Sequence, residues 1–298
     1  MAQGKTIAAL SAQERLNFLL TNRIPRRWLT LFMGWYSQIQ SPLLTKISIK
    51  IWSLFAEDLR LEDAKKQHFI SLQDCFTRQL KEGLRPINPH VDIITSPCDA
   101  IIGECGSVAA GNVFQAKGFP YDISDLIPNF HISHQYRDGI FVTLRLKSSM
   151  YHRFHAPVAC RVNKLSYISG DTWNVNPVAL KKIEKLFCKN ERAVIELQME
   201  KSCGSITLVP VAAILVASMK FNFLPHTFDL KYKGPNQVNC DASFSKGDEM
   251  GYFQHGSTII LFATSNHTLC DGIQSGAPIQ MGQALLTRKP LVNGPFKP

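Results

Sequence analysis

Past residue 86 the 298-residue chain breaks into short apolar runs, at residues 91–94, 101–102, 139–146, 158–168, 193–197, 206–216 and 257–263, with turn formers between them. Runs of this length, rich in β-branched residues, read as strands. Residues 211–216 are wholly apolar, which predicts a strand in the middle of a sheet. Pro210, just before them, cannot donate to a ladder and predicts a strand start or a bulge. One helix is expected near residues 178–186, ahead of Asn190.

Upstream the periodicity is different. Residues 12 to about 82 read as helical. Pro25 suits a first turn, and Trp28, Leu31, Phe32, Trp35, Tyr36 and Ile39 follow at spacings of three and four, which puts them on one face. A second helix is expected after Pro42, with Ile47, Ile51, Leu54 and Phe55 on one side. A third, over residues 71–83, carries Phe76, Arg78, Leu80 and Lys81 and is ended by Gly83 and Pro86. The predicted architecture is α+β: N-terminal amphipathic helices over residues 1–85, then a mainly antiparallel β body over residues 86–298.

Charge is distributed unevenly along this frame. The net charge is +10 and the isoelectric point about 9.2, a balance that fits nucleic acid, an anionic membrane or an acidic ligand. No acidic residue lies between Glu14 and Glu57, where Arg15, Arg23, Arg26, Arg27, Lys46 and Lys50 do. Two amphipathic helices packed on a core would be the ordinary explanation. Trp28, Trp35 and Trp52 shift the balance, because Trp favours the lipid headgroup zone and Lys and Arg favour anionic lipid. The segment therefore reads as a membrane-surface region. Its expected contacts are Arg23, Arg26, Arg27, Trp28, Phe32, Trp35, Lys46, Lys50 and Trp52. An apolar face this rich argues against nucleic acid as the partner. The N-terminus lacks the pattern of a signal peptide, and no window reaches the roughly 18 apolar residues of a spanning helix. The eight cysteines form no Cys-x-x-Cys pair, which supports neither a zinc knuckle nor a disulfide framework.

Three segments carry residues fit for chemistry: Ser96-Pro97-Cys98-Asp99, Tyr151-His152-Arg153-Phe154-His155-Ala156-Pro157, and Gly256-Ser257-Thr258. Each alone is an ordinary turn or strand edge. Together they offer Asp99 to orient, His155 to accept a proton and Ser257 to attack. Arg153 between the two histidines disfavours a metal site, so no metal is expected. The Gly-x-Ser-x-Gly elbow of common hydrolases is absent. Three readings stay open on these residues: a serine that attacks its own chain, a conventional serine hydrolase using Asp99, His155 and Ser257, and a membrane-binding protein without catalysis.

Other segments fall in a recognisable order. Arg26-Arg27-Trp28-Leu29-Thr30 and Gly34-Trp35 come first, then Phe76-Thr77-Arg78-Gln79-Leu80 and Arg85-Pro86-Ile87. Gln115-Ala116-Lys117-Gly118 with Tyr121, Gly139-Ile140-Phe141-Val142-Thr143 and Asn190-Glu191-Arg192 lie between the three chemical segments. Gly247-Asp248-Glu249-Met250-Gly251-Tyr252-Phe253 leads into Gly256-Ser257. Over most of the chain this set resembles phosphatidylserine decarboxylase of the bacterial type.

The resemblance implies that Ser257, assisted by Asp99 and His155, cuts the Gly256–Ser257 bond. Residues 1–256 would then form a large subunit, and residues 257–298 a small one headed by a pyruvoyl group derived from Ser257. That group would be the only cofactor. It would form a Schiff base with the amine of phosphatidylserine and act as electron sink while carbon dioxide leaves, giving phosphatidylethanolamine. His152 is implied to support the decarboxylation. A peripheral position on the cytoplasmic face of the cell membrane and a dimer are implied as well. The chain departs from the usual pattern at Ala100, at Lys147-Ser148-Ser149-Met150 and at His255. Ala100 could tighten a turn near Asp99, and His255 adds a titratable group beside the scissile bond.

Overall fold

A computed structural model describes residues 25–56, 58–116, 119–199, 204–215, 218–254 and 257–290. The chain enters through two helices, α1 (Arg26–Tyr36) and α2 (Pro42–Phe55). Helix α2 starts where the sequence suggests: Ser41 accepts a hydrogen bond from the Leu44 amide, and Pro42 sits in the first turn, where a missing N–H costs nothing.

The third helix is shorter than expected. Helix α3 spans only Leu72–Phe76. The Thr77 carbonyl, which would continue the helix, accepts instead from the Arg153 guanidinium. The Lys81 amide bonds to Asp63 and the Lys65 amide to Gln79, so residues 77–81 run beside residues 63–65. Arg78 is buried and donates to the carbonyls of Cys75, Leu59 and Ser149. Tertiary bonds override the local helical pattern here. The helix expected over residues 178–186 is likewise two separate turns, Pro177–Leu180 and Leu186–Lys189. The Gln115 amide fills the break, donating to Leu180 and Ile183 and accepting from the Leu186 amide.

The strands, in chain order, are β1 (Ile93–Thr95), β2 (Ala100–Ser107), β3 (Asn112–Ala116), β4 (Phe119–Asp122), β5 (Ile140–Leu146), β6 (Arg153–His155), β7 (Cys160–Ile168), β8 (Arg192–Met199), β9 (Ser205–Ala212), β10 (Ser218–Phe221), β11 (Thr227–Asp229), β12 (Gln237–Phe244), β13 (Glu249–Phe253), β14 (Ser257–Ala263), β15 (His267–Leu269), β16 (Pro278–Ile279) and β17 (Ala284–Arg288). An eight-stranded sheet runs in the order β12-β7-β8-β9-β14-β5-β2-β16. A four-stranded sheet has the order β11-β10-β13-β6, and a three-stranded one β1-β17-β15. Their pairings are antiparallel, and the fold is α+β, as the sequence predicts.

Pro210 neither starts a strand nor bulges one. It lies inside β9, between β8 and β14, opposite Ile259. The register to β8 runs from Arg192–Val211 to Ile195–Leu208 and passes over Val209 and Pro210, while pairing to β14 is unbroken. A residue without an N–H is tolerated where the ladder is already interrupted.

Alternation along the strands gives the large sheet two buried faces. One carries Leu144, Leu208, Ile259 and Leu261 and packs against Phe154, Phe221, Met250 and Phe253 of the four-stranded sheet. The other carries Val209, Val211, Ile260 and Phe262 and is covered by Ile123, Leu126, Leu186 and Phe187. The pair Leu146–Ser257 lies in the large sheet and the pair Arg153–Tyr252 in the four-stranded one. His152 immediately precedes Arg153 at the start of β6.

Candidate active site

Ser257 opens β14, paired with Leu146 of β5 on one side and Ala212 of β9 on the other. It has no exposed surface, and its Oγ is without a hydrogen-bond partner. A buried hydroxyl normally finds a partner, because leaving one unpaired costs about 1–3 kcal/mol. Gly256 and His255 lie outside the described residues.

His155 ends β6 and is nearly enclosed. Its Nδ1 is 2.8 Å from the Gly247 carbonyl, which can only accept, so Nδ1 carries the proton. The neutral ring therefore leaves Nε2 as the acceptor for the Tyr151 hydroxyl at 2.9 Å. Burial pushes the imidazole pKa below its ordinary value of 6.5, against the opposing pull of the Gly247 carbonyl. Gly247 adopts φ +92°, and a Cβ there would come within 2.9 Å of the Ile87 side chain. Only glycine turns its carbonyl toward His155 at no steric cost.

Asp99 is held by other partners. Arg85 grips its carboxylate in a forked ion pair, with Nη2 to Oδ2 at 2.6 Å and Nε to Oδ1 at 2.9 Å. The Met281 amide donates to Oδ1 at 2.9 Å. Burial opposes the Arg85 charge, but the bonds to Asp99 outweigh it and raise the guanidinium pKa. The carboxylate is bonded to Arg85 and Met281 rather than to His155. What joins the Asp99 and His155 segments is backbone: the His155 amide donates to Pro97 at 2.8 Å. Ala100 forms no turn; it is buried at the start of β2 and pairs with Ile279.

His152 is fully buried, with Nδ1 2.7 Å from the Met150 carbonyl and its ring centroid 4.1 Å from that of Phe76. Phe76 in turn stacks on Trp52 of α2. Arg153 pairs with Glu249 at 2.6 Å and holds the Thr77 carbonyl. The N-terminal region thus reaches the histidine segment through Phe76, Thr77 and Arg78. These residues, with Tyr151, Arg85 and Gly247, have structural roles that motif reading left unassigned. The spacing Tyr151-x-x-x-His155 alone says nothing about a hydroxyl meeting a ring across an extended segment.

A cleft of about 700 Å³ lies beside the Ser257 end of the sheet. Its walls are Met33, Ile51, Trp52, Phe55, Leu72 and Phe76 on the helical side, and residues 145–149, 174–176 and 213–215 on the body side. Leu146 is Ser257's registered partner, and Ala213 follows its other partner. Among the described residues no group of three or more His, Cys, Asp or Glu side chains is placed to hold a metal ion.

The basic aromatic helices separate into two kinds of residue. Trp28, Phe32 and Trp35 are 76%, 53% and 63% exposed, and Lys46 and Lys50 also face outward. Arg26 instead pairs with Asp171 and lies over the Trp173 ring. Arg27 donates to the Leu230 carbonyl. Trp52 is turned into the cleft. Arg23 lies outside the described residues. Among the described residues no helix is long and apolar enough to cross a membrane.

Known proteins match this sequence. The family model described as phosphatidylserine decarboxylase matches residues 72–287. The phosphatidylserine decarboxylase proenzyme of Brevibacillus brevis is 30% identical over 275 residues, covering 91% of this chain and 97% of its own length. The proenzyme of Shewanella putrefaciens is 31% identical over 287 residues, with 91% and 97% covered. That of Vibrio cholerae is 32% identical over 271 residues, with 87% and 94% covered. A match spanning every buried segment around Ser257, His155 and Asp99, at this identity and coverage, shows that the chain belongs to the phosphatidylserine decarboxylase family.

Proposed function

We propose that the chain is the self-cleaving precursor of a pyruvoyl-dependent enzyme that decarboxylates phosphatidylserine to phosphatidylethanolamine at an anionic membrane surface. The observation that carries this is the buried, unpartnered Ser257 hydroxyl at the first position of a central strand. A serine hydrolase needs its nucleophile open to an outside acyl group. An enclosed hydroxyl beside its own chain suits attack on the preceding carbonyl better.

In that reaction Ser257 Oγ adds to the Gly256 carbonyl carbon, the C–N bond breaks, and an ester and a free amine result. His155, neutral and with Nε2 as acceptor, takes the hydroxyl proton once Tyr151 yields its place. Asp99, locked by Arg85, holds the 96–99 loop against the His155 backbone. Elimination of the ester leaves dehydroalanine at position 257, and water releases its nitrogen as ammonia. The pyruvoyl group so formed would supply the electron sink for loss of carbon dioxide. The residues suit such a group: Ser257 and His152 are both fully buried, and the His152 Nδ1 proton is committed to the Met150 carbonyl, leaving Nε2 as the proton-handling nitrogen.

The two products of the cut would be residues 1–256 and 257–298, with residues 1–85 serving as the membrane-association region. A dimer and a peripheral location on the cytoplasmic face of the cell membrane complete the proposal. Intact-mass measurement on folded protein tests it directly. Two fragments are expected, the smaller one modified by a hydrazine, and Ser257→Ala should remain one chain. A single uncut chain that is fully folded and active would overturn the proposal.

A further inference from the structure

We propose that Phe76, backed by Trp52 of α2, is a positioning residue that sets the plane of the His152 imidazole for decarboxylation. This rests on the reading above and deepens it. The Phe76 ring centroid lies 4.1 Å from that of His152, with the two planes at 45°. On its other side it lies 5.4 Å from Trp52, with the planes at 23°. Three rings in contact thus run from α2, whose Leu54 and Phe55 face outward, to the fully buried histidine.

The backbone does not fix the imidazole plane by itself. The outer torsion of a histidine side chain is broad and roughly two-fold, without the sharp staggered wells of an aliphatic one. The bond from Nδ1 to the Met150 carbonyl at 2.7 Å holds one edge of the ring and leaves a tilt about that edge. A flat neighbour against the ring face removes this freedom. Phe76 is such a neighbour, and Trp52 behind it keeps it from swinging away. Proton handling at Nε2 depends on the plane, because a misplacement of about 1 Å at a reacting group can cost about 10²-fold in rate.

Phe76 is itself held in register with the histidine segment. Three consecutive residues grip residues 149–153. Phe76 meets the His152 ring, the Thr77 carbonyl accepts from Arg153 Nη2 at 2.7 Å, and Arg78 donates to the Ser149 carbonyl at 2.9 Å. The early end of α3 at Phe76 is what frees Thr77 and Arg78 for these bonds. Phe76 and Trp52 also line the cleft, so contact with lipid is the competing role. The two roles differ in kinetics: lipid contact is uniform binding and acts on KM, whereas placement of His152 acts on kcat.

The test follows carbon dioxide release from phosphatidylserine micelles by full-length protein. Phe76→Leu should lower kcat by about ten- to hundredfold and change KM by less than about twofold. Phe76→Tyr keeps the ring and should stay within about threefold of wild type in kcat. A second readout is the ring-current shift of the His152 Cε1–H and Cδ2–H signals in protein labelled at histidine, assigned by their absence in His152→Gln. These signals should move in Phe76→Leu and stay close to their wild-type positions in Phe76→Tyr. Self-cleavage, which uses Ser257 and His155, should run to completion in both. If Phe76→Leu does not fold, Trp52→Leu at the cleft wall should show a smaller loss of kcat, about three- to tenfold, with the same shift in direction. An unchanged kcat, with or without a rise in KM, would overturn the positioning role. Moved His152 signals in Phe76→Leu, together with no carbon dioxide release from wild type, would sink the decarboxylase reading and leave the hold of Phe76 on His152 standing.

Discussion

At the scale of single residues the site is organised by carbonyls as much as by side chains. The Gly247 carbonyl fixes the His155 tautomer, and it can do so because a glycine holds φ +92° there. Burial holds the His155 pKa below 6.5, and this sets a pH dependence for the proposed self-cleavage. The base form is the neutral ring, so cleavage should fall only as pH drops through a value below 6.5 and stay flat above it. Single-turnover cleavage of freshly refolded precursor, followed by gel between pH 5 and 8, reads this directly; an acid limb centred above 7 would rule His155 out as the base. His155→Ala should slow cleavage by about 10²–10⁴-fold, the usual contribution of a general base. The sequence pointed to Asp99, His155 and Ser257 because reactive residue types stand out in short motifs. It did not reveal that Asp99 answers to Arg85, or that Tyr151 meets His155 Nε2. Those partners come together only through backbone bonds between segments such as His155 and Pro97.

At the scale of elements, helices α1 and α2 are amphipathic in the reverse of the usual sense. The buried residue of α1 is Thr30 and that of α2 is Thr45, while Trp28, Trp35, Leu43, Leu54 and Phe55 face outward. Thr30 accepts from the Leu215 amide, and Arg26 and Arg27 bind the body, so polar groups dock the helix and leave the apolar ones uncovered. Such a face suits the interface of a bilayer. The triple variant Trp28→Ser/Phe32→Ser/Trp35→Ser should lose more than about tenfold in binding to vesicles of phosphatidylserine and phosphatidylcholine, because each large side chain gains roughly 1.5–3 kcal/mol on full burial. Its melting temperature should stay close to that of wild type; unchanged vesicle binding would exclude this face as the membrane contact. The positions of α1 and α2 were legible from spacing. Which residues turn inward was not, since that depends on Asp171, Leu215 and Leu230, far along the chain. The third helix failed to extend past Phe76 for a related reason, as Thr77 and Arg78 serve partners on the β body.

At the scale of the whole molecule, a cut before Ser257 would sever one peptide bond while leaving the sheet bonds of β14 in place. That strand lies between β5 and β9 and is buried over its full length. The same C-terminal stretch supplies β16 to the edge of the large sheet, and β17 to the centre of the three-stranded sheet beside β1. Local pattern revealed the apolar strand at 257–263 but not its neighbours, because antiparallel pairing across tens of residues leaves no mark in spacing. The neighbours decide what cleavage can do. A fragment that completes two sheets is held by ladder bonds and by apolar surface on both faces, so the two pieces should behave as one folding unit. They are expected to co-elute in size exclusion and appear as one species in native mass spectrometry, separating only in denaturant. Residues 1–256 produced alone would lack the strand that joins β5 to β9 and should be insoluble. A soluble, folded 1–256 fragment would show that β14 is an accessory to the sheet and not its centre.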